Sequence, residues 1–425
     1  MNSSKIEKAF AIAKERYEEA GVDVEAALNT LGLISLSLPC WQLDDVRGFE
    51  RIEEYSGSGG ILATGHYPGR ARNVAELRQD MEKAITLIPG KSRVNLHAIY
   101  GEFGPRQVPR SEIEPAHFDG WLCWARERGV GLDFNATCFA HPQAASGFTL
   151  SSLDNEIRRF WIEHVERCRA IATFLGCGLN TVSIHNLWIP DGSKDEPFDR
   201  WAPRARLEES LDEIFRTEHS PSFLRDSLES KLFGLGSEAY VVGSHEFYLG
   251  YALSRKKMLC LDLGHFHPTE SVADKISALL RFFGELVLHL SRPVRWDSDH
   301  VVVVDDELKR VAAEIVRGGA LRRTHLALDF FDASMNRVGA LVIGARAALK
   351  AFLLALLLPQ KRLQEAEEEG DHFRRLAVFE EAKMLPAGDV WDFACLRGGI
   401  PLDRDFPGLI KEYERAVLNR RRPAD

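Results

Sequence analysis

Eight short apolar segments punctuate this chain, and helix-forming sequence separates each from the next. They are LISLSLPCW (33–41), RVNLHAIY (93–100), VGLDFNATCF (130–139), TVSIHNLWI (181–189), LESKLF (228–233), KMLCLDLGHF (257–266), LVLHLS (286–291) and THLALDFF (324–331). Strands that alternate with helices form a parallel sheet, and eight such units suggest closure into a (β/α)8 TIM barrel. An open doubly wound sheet is the competing architecture. It is weakened because no GxGxxG follows the first segment.

Three parts follow from this spacing. An N-terminal helical segment fills 1–32, a helix running from Ser3 or Ser4 to about Ala20, where Gly21 stops it. The catalytic barrel fills 33–345. A helical extension fills 346–425, its apolar stripe suited to meeting another subunit or packing back on the barrel. Between the first two strands lies a long insert. It begins as Gly-rich loop (SGSGGILATGHYPGRARN) and ends in a helix capped by Asn73.

The net charge of −9 argues against nonspecific binding to nucleic acid or anionic lipid, which needs a basic face. The basic run Arg420–Arg422 reads as a solvated terminus. The longest apolar run, 347–358, is interrupted by Lys350 and is too short to span a bilayer, so no membrane partner is expected. Seven cysteines without CxxC spacing suit reduced thiols in a cytoplasmic protein. The charged N-terminus lacks the apolar stretch of a signal peptide.

The chemistry gathers between 228 and 329. Glu229, Asp262, His265, His289 and Asp329 stand at or just past the ends of apolar segments, with Asp297 and Asp299 following the seventh. In a closed barrel those ends converge on one mouth. Alternation would put Glu229 and Lys231 on one face, and Asp297 with Asp299 if that stretch is extended. Five carboxylates packed together would repel or hold protons. Two divalent cations and Lys231 would balance them. Carboxylate and imidazole without thiolate favour Mn²⁺, Mg²⁺ or Co²⁺ over structural zinc.

A two-cation site with a lysine suits an aldose–ketose isomerase. The cations would hold sugar oxygens and polarise the carbonyl while a hydride moves between C1 and C2. Lys231 would hydrogen-bond the oxygen on which charge develops. Trp41, Phe134, Trp188 and Phe331 could exclude water and stack on the sugar, and His97 could open its ring.

At these residues the sequence resembles the L-rhamnose isomerase family over nearly its whole length. The carrying motifs are SLPCWQLDDVRGFE, GGILATGHYPGRARN, LIPG, NLHAIY, GLDFNATCFAHP, WIPDG, ESKLFGLG, CLDLGHFHPTE, HLSRPVRWDSDHVV and ALDFFDASMNR. The resemblance implies conversion of L-rhamnose to L-rhamnulose, the first step of rhamnose breakdown, in a cytoplasmic homotetramer with a xylose-isomerase-like barrel. It implies Mn²⁺, with Co²⁺, Mg²⁺ or Zn²⁺ as substitutes. The catalytic metal would fall on His265, Asp297 and Asp299, and a structural one on Glu229, Asp262, His289 and Asp329. Lys231 matches the family's active-site lysine, His97 its ring-contacting histidine, and Trp188 its sugar-stacking tryptophan. Ile99 matches the residue that packs on the C6 methyl. Other aldoses would also be accepted.

Two other classes remain open on residues alone. A metal-dependent phosphodiesterase on the same barrel would need a basic, DNA-sized face. A non-catalytic sugar-binding protein would bind without turnover.

Overall fold

The computed structural model describes residues 3–50, 63–105, 107–232, 234, 236–295 and 297–421, with 297–299 described by backbone alone. The first part of the Gly-rich insert, 51–62, lies outside them. The barrel strands are β1 (Ser35–Pro39), β2 (Lys91–His97), β3 (Gly131–Asn135), β4 (Ser183–Leu187), β5 (Leu224–Glu229), β6 (Met258–Asp262), β7 (Leu286–Leu290) and β8 (Thr324–Leu328). All eight run parallel in sequence order, and β8 pairs with β1 to close the barrel, with Ser37 opposite Ala327.

Alternation explains how such short strands build two environments. Leu36, Leu38, Leu96, Phe134, Leu228, Leu261, Leu288 and Leu328 point outward into one core shared with the helices. Ile184, Met258, Cys260 and Val287 form a separate small cluster inside the barrel. Each Leu in the shared core contributes about 2–5 kcal/mol against truncation to Ala.

The helices follow local rules. Asn73 caps the helix Val74–Ile85 by accepting from the Glu76 amide. Asp305 caps the helix Asp306–Arg317, whose buried Leu308, Val311, Ala312 and Ile315 recur at the helical period. The helix Arg337–Leu356 is long and apolar enough to cross a bilayer, yet most of it is buried in this structure. Its two buried arginines are matched, Arg337 by Asp45 at 2.6 Å and Arg346 by Asp403 at 2.9 Å.

Two expectations need correction. The fifth strand starts at Leu224, not 228, and ends at Glu229. Its Arg225 and Asp226 lie outside the apolar segment seen in the sequence, but partners neutralise both: Glu285 for Arg225, and Arg169 with Lys257 for Asp226. The basic run at the C-terminus is not wholly solvated either. Arg421 is buried and pairs with Asp80 at 2.6 Å. The C-terminal helices pack back on the N-terminal one, with Phe393 stacked on Phe10 at 3.7 Å between centroids. All seven cysteines are free thiols.

Candidate metal centre

Glu229 and Asp262 are the last residues of β5 and β6, His289 the penultimate residue of β7, and Asp329 follows β8 directly. The register sets Asp262 opposite His289, and His289 opposite Ala327. The barrel's curvature then draws one ligand atom from each of the four within 4.8 Å of all the others. His289 Nδ1 lies 3.3 Å from Glu229, 3.8 Å from Asp262 and 3.1 Å from Asp329.

Glu229, Asp262 and His289 are nearly inaccessible to solvent. Burial pushes the Asp262 carboxyl up to about 6. Burial would also lower the His289 imidazole, but the carboxylates of Glu229 and Asp329 beside it outweigh burial and hold the proton on the ring. The same imidazole, with His265, keeps Glu229 below the usual carboxylate range despite its burial. Cys260, near Glu229 and His289, stays a neutral thiol because burial raises it to about 12.

Buried polar groups normally have partners, yet His289 Nδ1 and Glu229 Oε1 have no hydrogen-bond partner among the described residues. Three carboxylates around one imidazole, with unpartnered atoms facing inward, fit a divalent cation that takes oxygen and nitrogen ligands. Asp262 is also oriented from behind, accepting from Ser291 Oγ at 2.7 Å and the Gly264 amide at 2.6 Å.

Residues 4–421 match the L-rhamnose isomerase (RhaA) family. The chain is 54% identical over 416 residues to L-rhamnose isomerase of Rhodopirellula baltica, covering 98% of this chain and 97% of that one. It is 52% identical over 419 residues to L-rhamnose isomerase of Yersinia pseudotuberculosis, covering 99% and 100%. The chain belongs to the L-rhamnose isomerase family. As a member of that family it is an isomerase. Among solved structures, D-psicose 3-epimerase from Clostridium cellulolyticum H10 is 12% identical with a TM-score of 0.45, over 76% of this chain and 98% of that one.

The remaining candidate residues fall into three groups. His265 Nδ1 sits 3.2 Å from Glu229 Oε1, beside the four strand-end ligands. Asp297 and Asp299 lie on a short strand, Asp297–His300, antiparallel to Arg292–Val294, so the stretch is extended. Their side chains lie outside the described residues.

Trp41, His97 and Trp188 line a common wall. Trp41 donates from Nε1 to Asp329 at 3.2 Å and meets the His97 ring edge-on at 4.8 Å. Lys231 is not on the strand with Glu229. It lies in the following loop, its Nζ donating to Ser237 Oγ at 3.0 Å and the Pro190 carbonyl at 3.3 Å, with Trp188 5.7 Å away. Burial lowers its ammonium to about 8. Ile99 is buried, and its carbonyl accepts from the Phe49 amide.

Phe134 is not brought to this wall. Phe134 is on the outward face of β3, edge-on to Phe118 at 4.9 Å, and Phe331 packs against the shared core.

Several neighbours escaped a search confined to ionisable strand ends. Asn186 on β4 donates to Glu229 Oε2 at 2.5 Å. It stands one residue before its strand's end, as His289 does, and that position was the available signal. Phe139 bridges His97 and Trp188, with centroids 5.4 and 6.0 Å away. Thr137 Oγ1 sits 3.1 Å from His97 Nδ1, and its amide donates to His164 Nε2 at 3.0 Å. An amide can donate only to an unprotonated ring nitrogen, so neutral His164 carries its proton on Nδ1 and donates it to the Arg110 carbonyl, 2.9 Å away.

Proposed function

We propose that this chain converts L-rhamnose to L-rhamnulose with divalent cations held at the barrel mouth, Mn²⁺ first among them. The observation that carries the reading is the strand-end quartet Glu229, Asp262, His289 and Asp329 in a chain of this family. The quartet would hold a structural cation. His265, Asp297 and Asp299 would hold a second at which the sugar binds. When bound, a divalent cation supplies Lewis-acid polarisation of the substrate oxygens.

The chain's own residues do the rest. His97, buried against Trp41 and Phe139, would exchange a proton with the ring oxygen and the anomeric hydroxyl, opening the pyranose. In the open aldose, O2 gives up its proton, hydride passes from C2 to C1, and O1 takes up a proton, so the formula is unchanged. Lys231 has two of its three ammonium hydrogens directed at Ser237 and Pro190, leaving one for the oxygen that gains charge. Trp188 would stack on the sugar and, with Phe139 and Trp41, keep the transfer dry. Ile99 would pack on the C6 methyl and favour 6-deoxy sugars, with related aldoses turned over more slowly. The barrel with its flanking helical parts, 1–32 and 346–425, would work as a cytoplasmic homotetramer.

An aldose panel assayed after chelation and metal add-back tests this. L-Rhamnose should lead the panel and Mn²⁺ should restore it. Full activity in the chelated protein would overturn the cation assignment. In L-rhamnose labelled with deuterium at C2, the label should appear at C1 of the product, whereas washout to solvent would replace hydride transfer with an enediol route.

A further inference from the structure

A TIM barrel's interior is ordinarily filled by layers of bulky side chains. Here a cavity of about 520 Å³ enters from the opposite end to the mouth, between exposed Leu33 and Arg322, and reaches up to Asn186 and His289. Small residues leave the room: Ser37 and Ala327 stand side by side where the barrel closes, and both line it.

The lining is polar at depth. Arg93 is fully matched by Asp133, at 2.8 Å and 2.7 Å, and Asn95 accepts from Asn135 at 2.7 Å. Two lining atoms are unmatched among the described residues, His289 Nδ1 at the cation centre and one on Asn186. Asn186 Oδ1 is buried without a hydrogen-bond partner, while the same amide's nitrogen holds Glu229. A roomy cavity with polar side chains at depth and an unpartnered acceptor is the kind that holds water.

We propose that this end of the barrel is a hydrated passage delivering water to the rear of the strand-end cation centre, separate from the mouth that admits the sugar. The inference rests on the cation centre proposed above. The lining favours water over cations: Arg93 is neutralised by Asp133 at depth, and the guanidinium of Arg322 stands at the entrance. The passage would let protons at the centre exchange with bulk solvent while a sugar fills the mouth.

The test reads water, not turnover. Solvent-proton relaxation is measured on the full chain loaded with Mn²⁺, with and without saturating L-rhamnitol, which fills the mouth but has no carbonyl to react. Enhancement should survive L-rhamnitol in the unmodified protein. It should then fall about threefold or more in Ala327→Leu and in Val287→Phe, because apolar plugs leave water without polar partners. The plugs come from different strands, so either one that folds suffices. Enhancement abolished by L-rhamnitol alone, or surviving in a folded plugged variant, would overturn the passage. No enhancement before L-rhamnitol is added would instead overturn the cation centre, and the passage with it.

Discussion

Strand β5 carries a buried charge cluster on each of its faces. On the outer face, Asp226 accepts from Arg169 at two positions, both 3.0 Å, and from Lys257 at 3.1 Å, with His185 3.3 Å away. On the inner face, three residues on, Glu229 meets Asp262, Asp329 and His289. The outer cluster sets two permanent cations against one carboxylate. The inner sets one imidazole, which is cationic only when protonated, against three carboxylates. Because burying unbalanced charge is costly, the outer cluster is complete as protein alone and the inner is not. One strand thus shows how a structural ion network differs from a cation site: by who supplies the positive charge.

The largest effects should separate the two faces. Glu229→Ala removes an inner ligand, so turnover should fall by about 10³-fold. Added Mn²⁺ should stabilise the unmodified protein by about 2.7 kcal/mol at a hundredfold excess over Kd, read as a rise in melting temperature, and that rise should disappear in the variant. Asp297→Ala should lose turnover yet keep most of the rise. If both variants lose the rise equally, the division into structural and catalytic cations fails.

Arg169→Met breaks the outer cluster and should destabilise by about 3–5 kcal/mol, since it leaves a buried carboxylate short of a partner. Calorimetry should find that loss unchanged by chelator or Mn²⁺, with KM and kcat near those of the parent. Rescue by cation would erase the distinction between the faces.

The same contrast explains what was legible in the sequence. Alternating apolar and helical segments announced the closed barrel because hydrophobic period reports directly on which face is buried. The inner ligands were visible because a carboxylate or imidazole at a strand end breaks an apolar pattern. The outer cluster hid its strand: Arg225 and Asp226 break the apolar pattern just before Leu228, while their partners Glu285, Arg169 and Lys257 lie far away in sequence. Arg421 was misread for the same reason, its partner Asp80 lying some 340 residues back. Lys231 was placed on Glu229's strand because alternation was extended past the strand's true end. Phe134 was assigned to the mouth by type, although the parity of β3 turns it toward the helices. Asn186 and Thr137 carry no charge and no period, and only folding shows what they touch.

Smaller effects should appear one step away from the ligands, where neutral groups hold a neutral ring. Thr137→Val keeps the shape but removes the hydroxyl beside His97. It should lower kcat by about tenfold, equivalent to one hydrogen bond of about 1.4 kcal/mol, with KM nearly unchanged. Thr137→Ser should restore it. Equal losses in Val and Ser variants would reduce Thr137 to packing.

The smallest effect is in pH. Burial, with help from Arg110, lowers the His97 imidazole to about 3. The unfolded ring takes up its proton near 6.5, so below that value unfolding binds a proton that the folded protein refuses. The stability His97 permits is therefore full above about 6.5 and drains away as pH falls toward 3. Asp226 behaves differently: its carboxyl is held below the ordinary range, so its contribution persists until pH drops below about 3.9. Between pH 6.5 and 4 Asp226 is silent, whereas the buried histidines, His185 beside it included, are not. His164, lowered to about 3, and His141, to about 4, share the slope, so His97→Gln should flatten the denaturation midpoint against pH by up to one proton. That ceiling is about 1.4 kcal/mol per pH unit. A parallel pair of curves for parent and variant would mean that His97 is protonated in the folded protein and that Thr137 faces a cation, not a neutral ring.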